Sequence, residues 1–162
     1  MKYQISCIGK SSNSYEQKLI EKYLKRLEGK LQIKEISLKN PNPILEIEEQ
    51  GNKLLNLSPK NSVLIVLDKD GDTYTTKTLA KIIRKFEMEN TRVINFVIGG
   101  PLGHGKKIKN EAKKIISFGK MTWSHLLTRI MIVEQLYRIE TIFNKHPYHK
   151  WQIMKIKELN KP

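Results

Sequence analysis

Apolar and polar positions along the chain switch repeatedly between a two-residue and a helical period. Residues 3–8 (YQISCI) predict a short strand stopped by Gly9. Residues 14–27 then carry Tyr15, Leu19, Ile20, Tyr23, Leu24 and Leu27 at helical spacing, with Ser14 as the candidate cap and Gly29 as the stop. Glu16 sits one position short of a capping box. Residues 31–38 alternate imperfectly and predict an edge strand. After the turn cluster Asn40-Pro41-Asn42-Pro43, a helix is expected through Leu55, with Gly51 as an interruption.

The second half is patterned more strongly. Residues 62–67 (SVLIVL) and 93–98 (VINFVI) are continuous apolar runs bounded by turn residues, as expected of buried parallel strands. Asp68 to Asp72 is expected as a polar turn after the first run. Residues 75–88 predict an amphipathic helix through Leu79, Ile82, Ile83 and Phe86. A short basic helix over 106–114 and a strand over 115–118 follow. The last helix is expected over 124–143, with Leu126, Leu127, Ile130, Val133, Leu136, Tyr137 and Ile142 facing inward. This βα alternation predicts an α/β fold, a mainly parallel sheet flanked by helices. No repeat or linker divides it, so residues 1–150 read as one domain and 151–162 as a basic extension.

Composition changes the picture in one respect. The hydrophobic fraction of 39% across 162 residues suits a folded domain, but 30 Lys and Arg against 16 Asp and Glu give a net charge of +14. Such an excess points to a polyanionic partner, because lysines near phosphates release condensed counterions. A single cysteine, Cys7, excludes an internal disulfide, and no Cys/His cluster has zinc-ligand spacing. With neither a secretory leader nor a membrane span in the sequence, a soluble cytoplasmic protein is expected.

Ligands of open α/β sheets bind outside the carboxyl ends of the strands. Three such ends stand out: Leu67-Asp68, Ile98-Gly99-Gly100 and Phe118-Gly119-Lys120. Gly99, Gly100, Gly103 and Gly105 crowd one turn, more glycine than a bare strand-to-helix turn needs. GPLGHGK (100–106) also fits the spacing of a phosphate-binding loop. Lys107, however, stands where that motif needs Ser or Thr for magnesium, which makes nucleotide hydrolysis a weak alternative. The last third gathers His125, Arg129, Glu134, Gln135 and Arg138 on one helix, followed by His146, Tyr148 and His149 around Pro147. Glu134 with Arg138 reads first as an ordinary helix ion pair. The His-Pro-Tyr-His cluster supplies donors, a stacking ring and candidate proton acceptors, but little core packing.

FVIGGPLG (96–103), SFGKMTWSH (117–125), EQLYR (134–138) and HPYHK (146–150), with the opening MKYQISCIGK, together resemble the ribosomal RNA large-subunit methyltransferase H family. These are small SPOUT-class enzymes that methylate N3 of a pseudouridine in 23S rRNA. The resemblance covers residues 1 to about 150. It implies a C-terminal deep trefoil knot, which pattern reasoning alone would have rejected. It also implies a homodimer acting on 23S rRNA in the ribosome, without a metal. S-adenosyl-L-methionine contacts are implied at Leu67, Gly99, Phe118, Gly119, Lys120, Met121, Thr122 and Trp123. Ser124 stands where relatives commonly have proline, and a serine there can cap the helix instead. The chain also runs past Lys150, where relatives usually end.

Under that resemblance Tyr148 and His149 are the candidates for positioning the base and accepting its proton. Arg138 is the candidate for holding a phosphate or base oxygen, and His125 and Arg129 for lining the substrate pocket. Two alternatives remain at this level: another SPOUT methyltransferase acting on tRNA, and a non-catalytic ribosome-binding protein.

Overall fold

Strands form where apolar runs can be buried on both faces, and helices where one stripe can be. The computed structural model of the chain describes residues 1–11 and 15–145. Its strands are β1 (Lys2–Ile8), β2 (Leu31–Ile36), β3 (Val63–Thr73), β4 (Val93–Ile98) and β5 (Lys114–Ser117). Its helices are α1 (Tyr15–Arg26), α2 (Pro43–Leu57), α3 (Thr76–Met88), α4 (Lys106–Glu111) and α5 (His125–Phe143). The sheet runs β2-β1-β4-β3-β5, and every neighbouring pair is parallel. The expected α/β class and the edge position of β2 are both observed.

Alternation within the strands divides the core in two. Ile5, Ile65, Ile94 and Phe96 pack beneath α3 and α5, while Leu64, Val66 and Val97 face Leu54 of α2 and Ile108 of α4. The α2 side also holds a buried polar chain. Gln4 Nε2 donates to Ser6 Oγ at 2.8 Å, Ser6 donates to Asn95 Oδ1 at 3.0 Å, and Asn95 Nδ2 donates to Ser58 Oγ at 2.7 Å. Burying such groups is tolerable only because each finds a partner.

Three expectations need correction. Asp68 to Asp72 is not a simple turn: Ile116 pairs with both Leu67 and Asp72, so β3 bulges outward over four residues and then rejoins β5. Helix α2 runs through Gly51, which is buried where an added Cβ would meet Ile108 of α4 at an ordinary contact distance. On α5, Leu127 is exposed, and the buried stripe is Arg129, Ile132, Val133, Leu136, Ile139 and Glu140. Two charged residues bracket that stripe, which hid it from a count of apolar positions. Glu140 survives burial because it accepts from Tyr3 Oη at 2.7 Å and pairs with Lys30.

The caps follow the local sequence. Asn42 accepts from the Ile44 and Leu45 amides ahead of Pro43 at the first helical position, and Thr75 caps α3. Ser124 caps α5 by accepting from the Leu127 amide at 3.3 Å, the role its side chain suggested. The cap expected from Ser14 lies outside the described residues.

Candidate functional site

The carboxyl ends of β3, β4 and β5 open onto one cleft of about 720 Å³. Leu67, Ile98 and Ile116 form its apolar floor, and residues 68–70, 99–104, 117–119 and 121–125 form its walls. After β5 the chain turns back across these strand ends and delivers α5 to the end of β1. There His125 packs on Gly9, whose φ is +91°. A Cβ on Gly9 would fall 2.7 Å from His125 Nε2, so only glycine fits.

Of the residues expected to hold a cofactor, Leu67, Gly99, Phe118, Gly119, Met121, Thr122 and Trp123 all line the cleft. Lys120 is exposed and outside the lining. His125 lines the cleft wall. Arg129, expected beside it as a pocket residue, is fully buried instead. Its Nη1 pairs with Glu35 and donates to Ser11 Oγ at 2.8 Å, and its Nη2 donates to the Gly9 carbonyl at 3.0 Å. The guanidinium therefore ties α5 to the ends of β1 and β2 from inside. Glu35 and Ser11 carried no sequence signal, since neither lies in a motif.

Two further contacts, unforeseen from sequence, pin the β4–α4 loop and α4 itself to β3. His104 Nε2 lies 3.1 Å from the Leu67 carbonyl oxygen, and Lys109 Nζ lies 2.7 Å from Asp68 Oδ2. The stretch with phosphate-loop spacing is thus used up internally. Gly103 donates its amide to the Gly100 carbonyl at 3.0 Å, and Lys107 donates to Asn52 Oδ1 at 2.7 Å.

A second groove of about 960 Å³ lies behind the wall made by Ser117, Phe118 and Trp123. Arg138 opens into it with Glu134 and Gln135. The expected Glu134–Arg138 ion pair is present, with Arg138 Nε donating to Glu134 Oε1 at 3.0 Å. Tyr148 and His149 lie outside the described residues. Among the described residues no group of three His, Cys, Asp or Glu side chains could hold a metal ion, and no helix is long and apolar enough to cross a membrane.

The cleft's charge state follows from its burial. Burial pushes the Asp68 carboxyl up, but the Lys109 ammonium and the Asp70 amide outweigh it and hold Asp68 below the ordinary 3.8. Burial drives His104 below the ordinary 6.5, against the opposing pull of Asp68 and of its bond to Leu67; Lys109 adds to the depression. Burial and the Arg129 charge do the same to His125, against Glu35. Below pH 6.5 the unfolded chain therefore binds more protons than the folded one. Stability should be full above that pH and fall as pH drops toward the lower folded values. The Asp68 contribution is lost only in stronger acid, as pH falls through its depressed folded value. His104→Gln keeps a donor for Leu67 and cannot titrate, so urea denaturation above and below pH 6.5 should show a shallower loss. An unchanged slope would contradict the role of His104.

Known proteins match the chain over most of its length. A family model described as "Predicted SPOUT methyltransferase" matches residues 1–149. A protein of Bartonella tribocorum named Ribosomal RNA large subunit methyltransferase H is 36% identical over 160 residues, covering 93% of this chain and 100% of that protein. Proteins of the same name from Halothermothrix orenii and Francisella philomiragia are also 36% identical, over 159 and 156 residues, with the same coverage.

Proposed function

The chain belongs to the SPOUT methyltransferase family, and from that premise we propose that it transfers a methyl group from S-adenosyl-L-methionine to N3 of a pseudouridine in the 23S rRNA of the large ribosomal subunit. One observation carries the reading: three strand ends far apart in sequence bring Leu67, Gly99, Phe118, Gly119 and residues 121–123 to a single cleft. The residues there suit the donor. Leu67, Ile98, Ile116 and Phe118 offer an apolar seat for a planar base, and the backbone of 118–123 offers polar groups to its edge. Asp70, exposed at the rim, is of the right charge for an amino-acid ammonium. Bound there, the donor would supply a methyl carbon made electrophilic by its positively charged sulfur.

This chain's own part is to hold the acceptor in line and exclude water. Arg138 is assigned to a phosphate or base oxygen, Tyr148 and His149 to positioning the base, and His125 to lining the substrate pocket. The N3 proton must leave before or during attack, which calls for an acceptor close to the base. The +14 net charge supports an RNA partner. We assign the activity to a cytoplasmic homodimer whose site is completed near the subunit boundary. The passage of residues 118–124 back across the strand ends supports a trefoil knot there. Methyl transfer from a sulfonium needs no metal.

Isothermal titration with S-adenosylmethionine, and separately with ATP and magnesium, tests the reading. Binding of the first alone is expected. Binding of ATP alone would revive the phosphate loop and overturn it. Salt-sensitive RNA binding without either ligand would favour a ribosome-binding protein that has lost its chemistry.

A further inference from the structure

Charge pairing divides the outer face of α3 into two unlike halves. Its exposed positions are Lys77, Thr78, Lys81, Arg84, Lys85 and Met88, a stripe dominated by cations. At one end Arg84 pairs with Glu87, and Lys85 Nζ lies 3.8 Å from Glu89 Oε1. At the other end Lys77 and Lys81 have no carboxylate partner among the described residues. They stand four residues apart, one turn and about 6 Å along the helix. The uncompensated end is the one nearest the cofactor cleft. Lys77 lines the second groove, and Phe118 and Trp123 line both that groove and the first cleft. Glu134, the carboxylate in the groove lining, accepts from Arg138 Nε at 3.0 Å and from Gln135 Nε2 at 2.8 Å, so its charge is already answered.

We propose that Lys77 and Lys81 bind the sugar–phosphate backbone of the RNA strand beside the target nucleotide, with the second groove as the passage from the cofactor cleft to that track. The inference rests on the methyltransferase reading. A base that enters the first cleft must leave its stack, and its neighbours on the same strand must then continue past the cleft wall. Phe118 and Trp123 belong to that wall, and Trp123 is 41% exposed, so a neighbouring base can stack there as the strand crosses. Beyond the wall the strand meets Lys77 and then Lys81. A compact ammonium on a flexible stem suits this task, because it answers phosphate charge without reading base identity. The pairs at i,i+3 and i,i+4 neutralise only the end of α3 away from the cleft, which leaves positive charge where the strand emerges. The reacting edge of the target base stays in the first cleft, since the track holds only backbone on the far side of the wall.

The test reads counterion release. A short single-stranded RNA with one central uridine is titrated into the full chain by fluorescence anisotropy at a series of salt concentrations. S-adenosylmethionine affinity is measured in parallel by calorimetry. Lys77→Gln with Lys81→Gln should reduce the slope of log affinity against log salt by about 1.4, the value for two single-strand phosphate contacts. Lys77→Arg with Lys81→Arg keeps both charges and should keep the slope. Lys53→Gln with Lys107→Gln removes the same charge from α2 and α4, on the other side of the sheet, and should change the slope by less than about half as much. S-adenosylmethionine affinity should be the same in all of them. An unchanged slope for the Lys77 and Lys81 glutamine variant, or an equal fall for the α2 and α4 variant, overturns the inference and leaves the methyltransferase reading intact. Loss of S-adenosylmethionine affinity in the former would place the two lysines in the donor site and overturn it as well. A wild-type protein that binds RNA but no S-adenosylmethionine overturns the methyltransferase reading, and with it the assignment of the track to the strand beside the target.

Discussion

Arg129→Ala should lose about 3–5 kcal/mol of folding stability, the range seen when one member of a buried ion pair is removed. The guanidinium is fully buried, so the wild-type charge is tolerated only through its partners. Glu35 neutralises it, and Ser11 Oγ and the Gly9 carbonyl accept from it. Its Nε finds no partner among the described residues, so the site is held by the terminal nitrogens alone. Alanine would leave Glu35, whose side chain is 27% exposed, without its counter-charge, and Gly9 and Ser11 without their donor. Because Gly9 seats His125, the damage should reach the cleft wall as well as the fold. Urea denaturation should record the loss, and the thermal midpoint should fall on the order of 10 °C. A loss under about 1 kcal/mol for Arg129→Ala would mean that the pair behaves as a solvated surface bridge.

Gly71→Ala should be nearly as damaging, by overpacking instead of charge. Gly71 closes the outward bulge of β3 just before Asp72 rejoins β5. A Cβ there would lie 2.7 Å from Ile115 C, Ile116 N and Ile116 C, all backbone atoms of a paired strand. Backbone cannot swing aside as a flexible side chain can, so the two strands must part. Inserted core methyl groups typically cost about 1–3 kcal/mol, and this one also breaks ladder hydrogen bonds, which places it at or above that upper end. The bulge carries Asp68, Lys69 and Asp70 into the cleft. S-adenosylmethionine affinity should therefore fall at least tenfold even where the variant remains folded, as calorimetry would read. A variant with wild-type stability and affinity would show that β3 and β5 do not meet at Gly71.

The elements legible in the sequence were those whose signal is local. Continuous apolar runs located β3 and β4, helical spacing located α3, and turn chemistry at 40–43 located the start of α2. The three strand ends of the cleft were legible because a parallel sheet places all of its carboxyl ends on one edge. Whatever depended on distant partners was not. Arg129 looked like a pocket cation because its helix face was read without Glu35, which is 94 residues away. The bulge in β3 reads as a polar turn, since nothing in DKDGD reveals that Asp72 will pair again with Ile116. His104 was absorbed into a glycine loop, although its ring bonds to Leu67 across 37 residues. Glu134 and Arg138 were legible as a helix pair, but Thr76, which orients the neighbouring Gln135, comes from another element.

The methylated product itself reports the transfer. Ribosomes from a strain lacking the corresponding modification are incubated with the protein and S-adenosylmethionine carrying an isotopically labelled methyl group. The 23S rRNA is then digested to nucleosides and resolved by mass spectrometry. One labelled nucleoside is expected, a pseudouridine methylated at N3, lost when Arg138→Ala replaces the wild type. Label found only in tRNA, or on another atom or base, would contradict the account, and so would a protein that binds the donor yet labels nothing.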